Sequence, residues 1–380
     1  MTDNPSGVQP AAFLRTTLPL GLPQLADLDT GRYHSLWLPD HMVSFWPDAL
    51  WTPEFTDLAT ASPSPHRHLD GMAVAAAAAV LTENVQLATS VVDTVRRHPA
   101  MLAQSALTID HLSGGRFILG LGSGERENIT PYGFDFARPV SRFEEALQVI
   151  RLLWDSDGPA DFEGRFYRLE HARMDTDLYN GRRPPIWIGA SGPRMLDIVG
   201  RYADGWWPAG AWTPEQYADM LAAVRGSAER AGRNPMAITP CFVQVCLIGE
   251  DEAALARIIE SPLVASFLLQ VSAKVLREFG FEHPMGNDWN GFHDIDPATL
   301  TRERLLDFLH KFDPEALLAV VPHGTPKQVA AIVKTYVDAG LRVPKILDYG
   351  AMAGLEYSAT SAANVRKTED ELMTLCGGPQ

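Results

Sequence analysis

Short apolar runs alternate along this chain with longer amphipathic stretches. An extended run at 33–39 (YHSLWLP) ends in Asp40 and His41. An alanine-rich helix is predicted over 71–82, then a strand over 85–92 (VQLATSVV). A helix over 99–112 follows, with proline suited to a first turn and Gly114-Gly115 as its stop. A strand over 116–121 (RFILGL) runs into glycines, and Phe143, Leu147, Ile150 and Trp154 mark the apolar face of a helix over 141–154. A strand over 185–190 (PIWIGA), a helix from Pro193 to about Tyr202, a short strand over 205–208 and a helix over 214–231 come next. A strand over 238–248 and a helical stretch from Asp251 follow. The last pair is a helix over 326–339 with a strand over 344–347.

Counting a weak first strand near Phe13, this makes seven or eight β/α units, where six or fewer would favour an open doubly wound sheet. The strands are short continuous apolar runs, as strands buried on both faces should be. Eight such units predict an α/β fold of the (β/α)8 TIM-barrel class, with two insertion segments at 42–69 and 280–314. No Pro/Gly/Ser linker divides the chain, so residues 1–380 are expected to form a single domain. Composition changes this picture little, but charge narrows the partners. Lys and Arg total 32 against 47 Asp and Glu, a net charge of −15. Such a surface repels phosphate backbones and anionic lipid heads, so neither nucleic acid nor stable membrane insertion is expected. Cys241 and Cys246 lie on one predicted strand facing opposite ways and cannot pair. With no basic and apolar leader in MTDNPSGVQP, a cytoplasmic location is expected.

A barrel of this class assembles its site where strands end. Those ends offer Asp40 and His41; Thr89, Ser90, Val91, Val92 and Asp93; Gly120, Gly122, Ser123, Gly124, Glu125 and Asn128; Ser191, Gly192 and Arg194; and Trp206-Trp207. His41 is the leading acid/base candidate, since imidazole titrates near neutrality. Its alternative is a structural histidine, and that of Glu125 is a surface carboxylate. GLGSGE fails as a dinucleotide fingerprint, because Glu125 stands where G-x-G-x-x-G needs its last glycine. Its alternating glycines would still let the backbone approach a flat ring or a phosphate. Ser191 near the cap of the helix at Pro193, with Arg194, is read as a phosphate seat or as an ordinary helix cap. His66 and His68 are read as solvated, and no metal is expected.

The run RHPAMLAQSALTIDHLSGGRFILGLGSGE (97–125) closely resembles the central signature of the bacterial luciferase-like superfamily. The resemblance extends from about residue 33 to 210 and weakly beyond. It implies a TIM barrel that binds flavin mononucleotide or the deazaflavin coenzyme F420. Ser123-Gly124-Glu125-x-x-Asn128, where flavin-using members carry Trp after the glycines, resembles the F420-dependent branch. Asp40-His41 followed by Trp46 matches that branch, with one residue more between His and Trp than in the sugar-phosphate dehydrogenase pattern. The text at 124–154 and EHPMG at 282–286 are most similar to the phthiodiolone ketoreductases. The resemblance implies that His41 and Glu125 handle protons and that Trp46 packs over the reacting centre. It further implies that Asp40, Ser90, Val91, Asp93, Ser123, Gly124 and Asn128 line the deazaflavin. Ser191, Gly192, Arg194 and Met195 would surround its phosphate. A non-prolyl cis peptide is implied at Ser90–Val91.

The expected function is an F420-dependent oxidoreductase of ketoreductase or alcohol dehydrogenase type, passing a hydride between deazaflavin C5 and a ketone or secondary alcohol. The alternatives are a flavin mononucleotide-dependent monooxygenase and a barrel that binds cofactor without catalysis. The substrate is expected to be a small apolar or amphipathic molecule, since the stretch at 206–212 and that at 316–321 carry no Lys or Arg and the Trp-rich first is read as a substrate wall; the alternative is that its aromatics are core or dimer contacts. A homodimer is the expected assembly.

Overall fold

The structure, a computed structural model, describes residues 7–208, 210, 213–297 and 299–377. Twelve strands are present among the described residues: β1 (Ala12–Phe13), β2 (Ser35–Leu38), β3 (Gln86–Thr89), β4 (Val92–Asp93), β5 (Phe117–Gly122), β6 (Ala160–Glu163), β7 (Arg168–Ala172), β8 (Ile186–Gly189), β9 (Gly205–Trp207), β10 (Thr239–Ile248), β11 (His323–Gly324) and β12 (Val343–Asp348). The hydrogen-bonded order is β1-β2-β3-β5-β8-β9-β10-β11, with β4 on β5 and β12 on β10. The pairings from β1 to β11 are parallel. With β3 and β4 as one interrupted strand, and β12 as the eighth, this is the strand sequence of a (β/α)8 barrel. The expected weak first strand is β1. The strand expected over 85–92 breaks at a cis Ser90–Val91 peptide, which divides it into β3 and β4.

The chain forms two compact units, one of Gln9–Met42 and His68–Phe242, the other of Met1–Val8, Val43–Arg67 and Val243–Gln380. In the first unit, β2 is buried along its whole length and so is β5. Trp37 packs against Trp207 and Trp187, at ring-centroid distances of 4.7 and 6.0 Å. Trp206 is fully buried, stacks on Tyr217 and donates Nε1–H to the Ala190 carbonyl. Trp206 and Trp207 are therefore core, which corrects their reading as a substrate wall; Ala209, Ala211 and Trp212 lie outside the described residues. The helices Gly71–Leu81, Pro99–Ser113, Pro139–Asp155, Pro193–Tyr202 and Pro214–Arg230 match the amphipathic stretches, and Gly114 closes the second in the left-handed conformation. An antiparallel hairpin, β6 with β7, was not apparent in the sequence pattern.

Glycine in β5 has a local reason. A β-carbon at Gly120 would overlap the Thr89 carbonyl oxygen, and one at Gly122 would come within 2.7 Å of Val91 Cγ2. The Thr89 hydroxyl donates to the Gly120 carbonyl and accepts from its N–H, both at 2.9 Å. The alternating glycines thus admit the neighbouring strand where it breaks. At Gly120 and Gly122 the space is taken by Thr89 and Val91.

In the second unit, a helix at Leu355–Leu375 packs against the helix Pro326–Asp338. The Asp57 carboxylate accepts from Leu355 N–H at 2.8 Å and caps the last helix from 298 residues away. Asp348, at the end of β12, is buried and accepts from the N–H groups of Ile248 and Gly350. Burial pushes its carboxyl up from 3.8 to about 6. The native state therefore takes up a proton between those values. From this group, stability falls as pH rises from about 4 to about 6, and the ionised side chain remains costly above. Asp348→Asn keeps an acceptor and removes the charge. It is expected to raise the melting temperature by a few degrees at pH 8, with the gain vanishing near pH 4, a span worth at most about 3 kcal/mol. Thermal unfolding at both pH values checks it; a lower melting temperature at pH 8 would contradict it.

Candidate active site

The first unit gathers its charged strand ends into one network. Asp40 follows β2 and is buried. Its Oδ1 accepts from Gly71 N–H at 2.9 Å and from Arg97 Nη2 at 3.1 Å. Its Oδ2 accepts from Arg96 Nη2 at 2.9 Å and from Arg97 Nη1. Arg96 also donates Nη2–H to the Asp40 carbonyl at 2.5 Å and Nε–H to Asp93 Oδ2. Asp93 Oδ1 accepts the backbone N–H groups of Val95 and Arg96 at 2.8 and 2.7 Å. Arg97 reaches on to Asp70 Oδ2 at 2.7 Å, and Asp70 caps the helix Gly71–Leu81 through Ala73 N–H. The Asp40 and Asp70 carboxylates outweigh burial and hold the Arg97 guanidinium above its ordinary pKa.

Next to this network stands a titratable pair. His41 Nδ1 lies 3.2 Å from Glu125 Oε2. Asn128 Oδ1 accepts from Met42 N–H at 2.6 Å, which turns its amide nitrogen toward the pair. That nitrogen is 3.1 Å from Glu125 Oε2 and 3.2 Å from His41 Nδ1. A carboxylate that accepts Nδ1–H fixes the tautomer and leaves Nε2 as the nitrogen that gains or loses a proton. Burial opposes charge on His41, but Glu125, by charge and hydrogen bond, with Asp40 and Glu127 behind it, raises its pKa. Burial likewise works against ionised Glu125, but His41, the Asn128 amide and Arg96 hold its pKa below the ordinary range. Both directions favour an imidazolium–carboxylate pair.

Of the other expected residues, the unit brings several to the same strand ends. The cis peptide lies at Ser90–Val91, and the Val91 side chain sits against Gly122 and Gly189. Gly124 has φ +94°, and a β-carbon there would lie 3.3 Å from that of Asp93. Ser123 is half-buried beside it. Gly192 is the cap of the helix Pro193–Tyr202, and Ser191 stands one residue before it, near the cap as expected. A β-carbon on Gly192 would meet nothing within 4 Å. Met195 is buried in the first turn, and Arg194 is bound to Ser141 Oγ and Glu144 at 2.9 and 3.1 Å.

Trp46 belongs to the second unit. There it stacks on Tyr349, with ring centroids 6.1 Å apart, and lies 6.5 Å from Trp51. The reading of His66 and His68 as solvated is corrected. His66 accepts from Ser44 N–H and meets Asp48, both within 3.1 Å, while the His68 ring lies 5.5 Å from that of His41. No group of three His, Cys, Asp or Glu side chains suits a metal among the described residues. Sequence reading missed Arg96, Arg97 and Asp70. The signal for the arginines was an adjacent pair beginning three residues after the strand-end carboxylate Asp93.

Known proteins resemble this chain. The model of the luciferase-like monooxygenase family matches residues 33–342. The phthiodiolone/phenolphthiodiolone dimycocerosates ketoreductase of Mycobacterium tuberculosis is 37% identical over 342 residues, 87% of this chain and 88% of the relative. The F420-dependent glucose-6-phosphate dehydrogenase of Nakamurella multipartita is 37% identical over 183 residues, 44% of this chain and 52% of the relative. Among solved structures, an F420-dependent secondary alcohol dehydrogenase in complex with an F420-acetone adduct shares the fold, with a TM-score of 0.69 and 18% identity over 95% of this chain and 99% of that one. By the family match and the extent of the ketoreductase similarity, this chain belongs to the luciferase-like monooxygenase family.

Proposed function

We propose that this chain is an F420-dependent oxidoreductase that interconverts a ketone and a secondary alcohol, its 380 residues acting as one luciferase-like domain. The observation that carries the reading is the His41–Glu125–Asn128 group, a hydrogen-bonded proton site at the strand ends. The ketoreductase, glucose-6-phosphate dehydrogenase and alcohol dehydrogenase names of its relatives support it. F420, when bound, supplies or accepts the hydride.

The residues present fit such a cofactor. The helix Pro193–Tyr202 opens with N–H groups that have no helical partner, beside open space at Gly192 and the Arg194 cation. This is a suitable seat for a phosphate. Val91, Ser123, Gly124 and Asn128 would hold the ring. Ser191, Gly192, Arg194 and Met195 would hold the phosphate; Arg194 would turn from Glu144 or share it.

Reduction of a ketone consumes a proton at the carbonyl oxygen, and His41 Nε2–H donates it as negative charge develops there. Glu125 accepts from Nδ1–H throughout and keeps the ring charged until that transfer. In the reverse direction neutral Nε2 takes the hydroxyl proton.

Three outcomes test this reading. F420 should bind at least about tenfold more tightly than flavin mononucleotide, or about 1.4 kcal/mol, in a side-by-side tryptophan-fluorescence titration. Equal or reversed affinities would remove the F420 assignment. His41→Ala should lower kcat by roughly 10²-fold while cofactor affinity stays within a few-fold; near wild-type turnover would make His41 structural. Glu125→Gln removes the charge that holds the imidazolium. The His41 pKa, followed by imidazole NMR, should then fall, and ketone reduction at neutral pH should slow by about tenfold or more. An unmoved titration would show that the pair does not couple.

A further inference from the structure

We propose that Arg96 is a positioning residue for His41. The inference rests on the reading of His41 as the proton donor and goes beyond it. Arg96 is almost wholly buried, with 9% of its side chain exposed. Its guanidinium donates to the carbonyl of Asp40, the peptide group that leads directly into His41. Through Nη2 it also grips Asp40 Oδ2, and through Nε it grips Asp93 on the neighbouring strand end. A planar fork can hold three acceptors on two elements in one geometry, and an ammonium cannot.

The acceptor directions of Asp40 are already taken. Gly71 N–H and Arg97 fill Oδ1, while Arg96 and Arg97 fill Oδ2. A carboxylate offers about four such directions, so the bound side chain acts as a fixed post. Arg97 shares this post but sits further out, with 22% of its side chain exposed, and its other partner is Asp70. Arg96 is faced by Asp40, Asp93 and, at longer range, Glu125; His41 is faced by Glu125, Asp40, Glu127 and the His68 ring. Arg96 thus fixes the backbone entering His41 and balances the carboxylates beneath it.

Two substitutions separate geometry from charge. Arg96→Lys keeps the cation and loses the fork. Its kcat should fall about tenfold or more, with the pH profile near that of the wild type and F420 affinity within about threefold. Arg96→Gln also removes the cation, so the carboxylates near His41 lose a countercharge. The His41 titration, read by imidazole NMR without cofactor, should move upward by about half a pH unit or more. Unchanged kcat in folded Arg96→Lys together with an unmoved titration in Arg96→Gln would make Arg96 merely structural. If neither variant folds, Asp93→Asn loosens only the Nε anchor. A threefold or larger fall in kcat at a similar melting temperature then supports the inference, and an unchanged kcat overturns it. The NMR arm needs no turnover, so failure of the F420 reading would leave this test intact.

Discussion

Burying Asp40 is the constraint from which the strand-end site follows. An ionised carboxylate taken out of water is tolerated only when its oxygens are met by donors and its charge by cations. Here two adjacent arginines and the first N–H of a helix meet both requirements. Removing one partner from such a cluster typically costs about 3–5 kcal/mol, which is a large part of a domain's stability. The positions of β2, β4 and the helix Gly71–Leu81 are therefore set together. None can shift without stranding a buried charge.

That rigidity has an electrostatic consequence. Three carboxylates, Asp40, Asp70 and Asp93, surround two guanidiniums, and the pair His41–Glu125 stands beside them. The surplus of negative charge, with Glu125 nearest, outweighs burial and raises the pKa of His41. Glu125 stays ionised for the converse reason. The two groups stabilise each other's charge, and Asn128 fixes their mutual orientation through a backbone N–H of the loop that carries His41.

Much of this was legible in sequence because it is local. The helix boundaries at 99–113 and 193–202 follow from proline at the start and, in the first, glycine at the end. His41, Glu125 and Asn128 stood out by lying after apolar runs, where strand ends are expected. What could not be read was long-range. The cap of the last helix is Asp57, so no signal precedes Leu355 in the chain. The glycines of β5 looked like space for a ligand, but Thr89 and Val91 of the neighbouring strand fill it. Trp206 and Trp207 looked like a substrate wall because sequence gives a side chain's chemistry but not its facing; both turn into the core. EHPMG was noticed only as text shared with relatives. Its histidine is buried, accepting from Met285 N–H and donating to the Leu268 carbonyl, and burial lowers its pKa. It pins a loop.

The proton site also bears on direction. Forming a secondary alcohol from a ketone consumes one hydride and one proton, and the reverse reaction releases both. A histidine whose pKa is raised stays protonated to higher pH than a free imidazole, which favours its donating form. The same shift removes the base that alcohol oxidation needs, until pH climbs past the raised value. On the proposed reading, the carboxylates around His41 therefore do more than hold it in place. They extend the pH range over which His41 can donate, and oxidation of the alcohol is expected to gain as the solution becomes more alkaline.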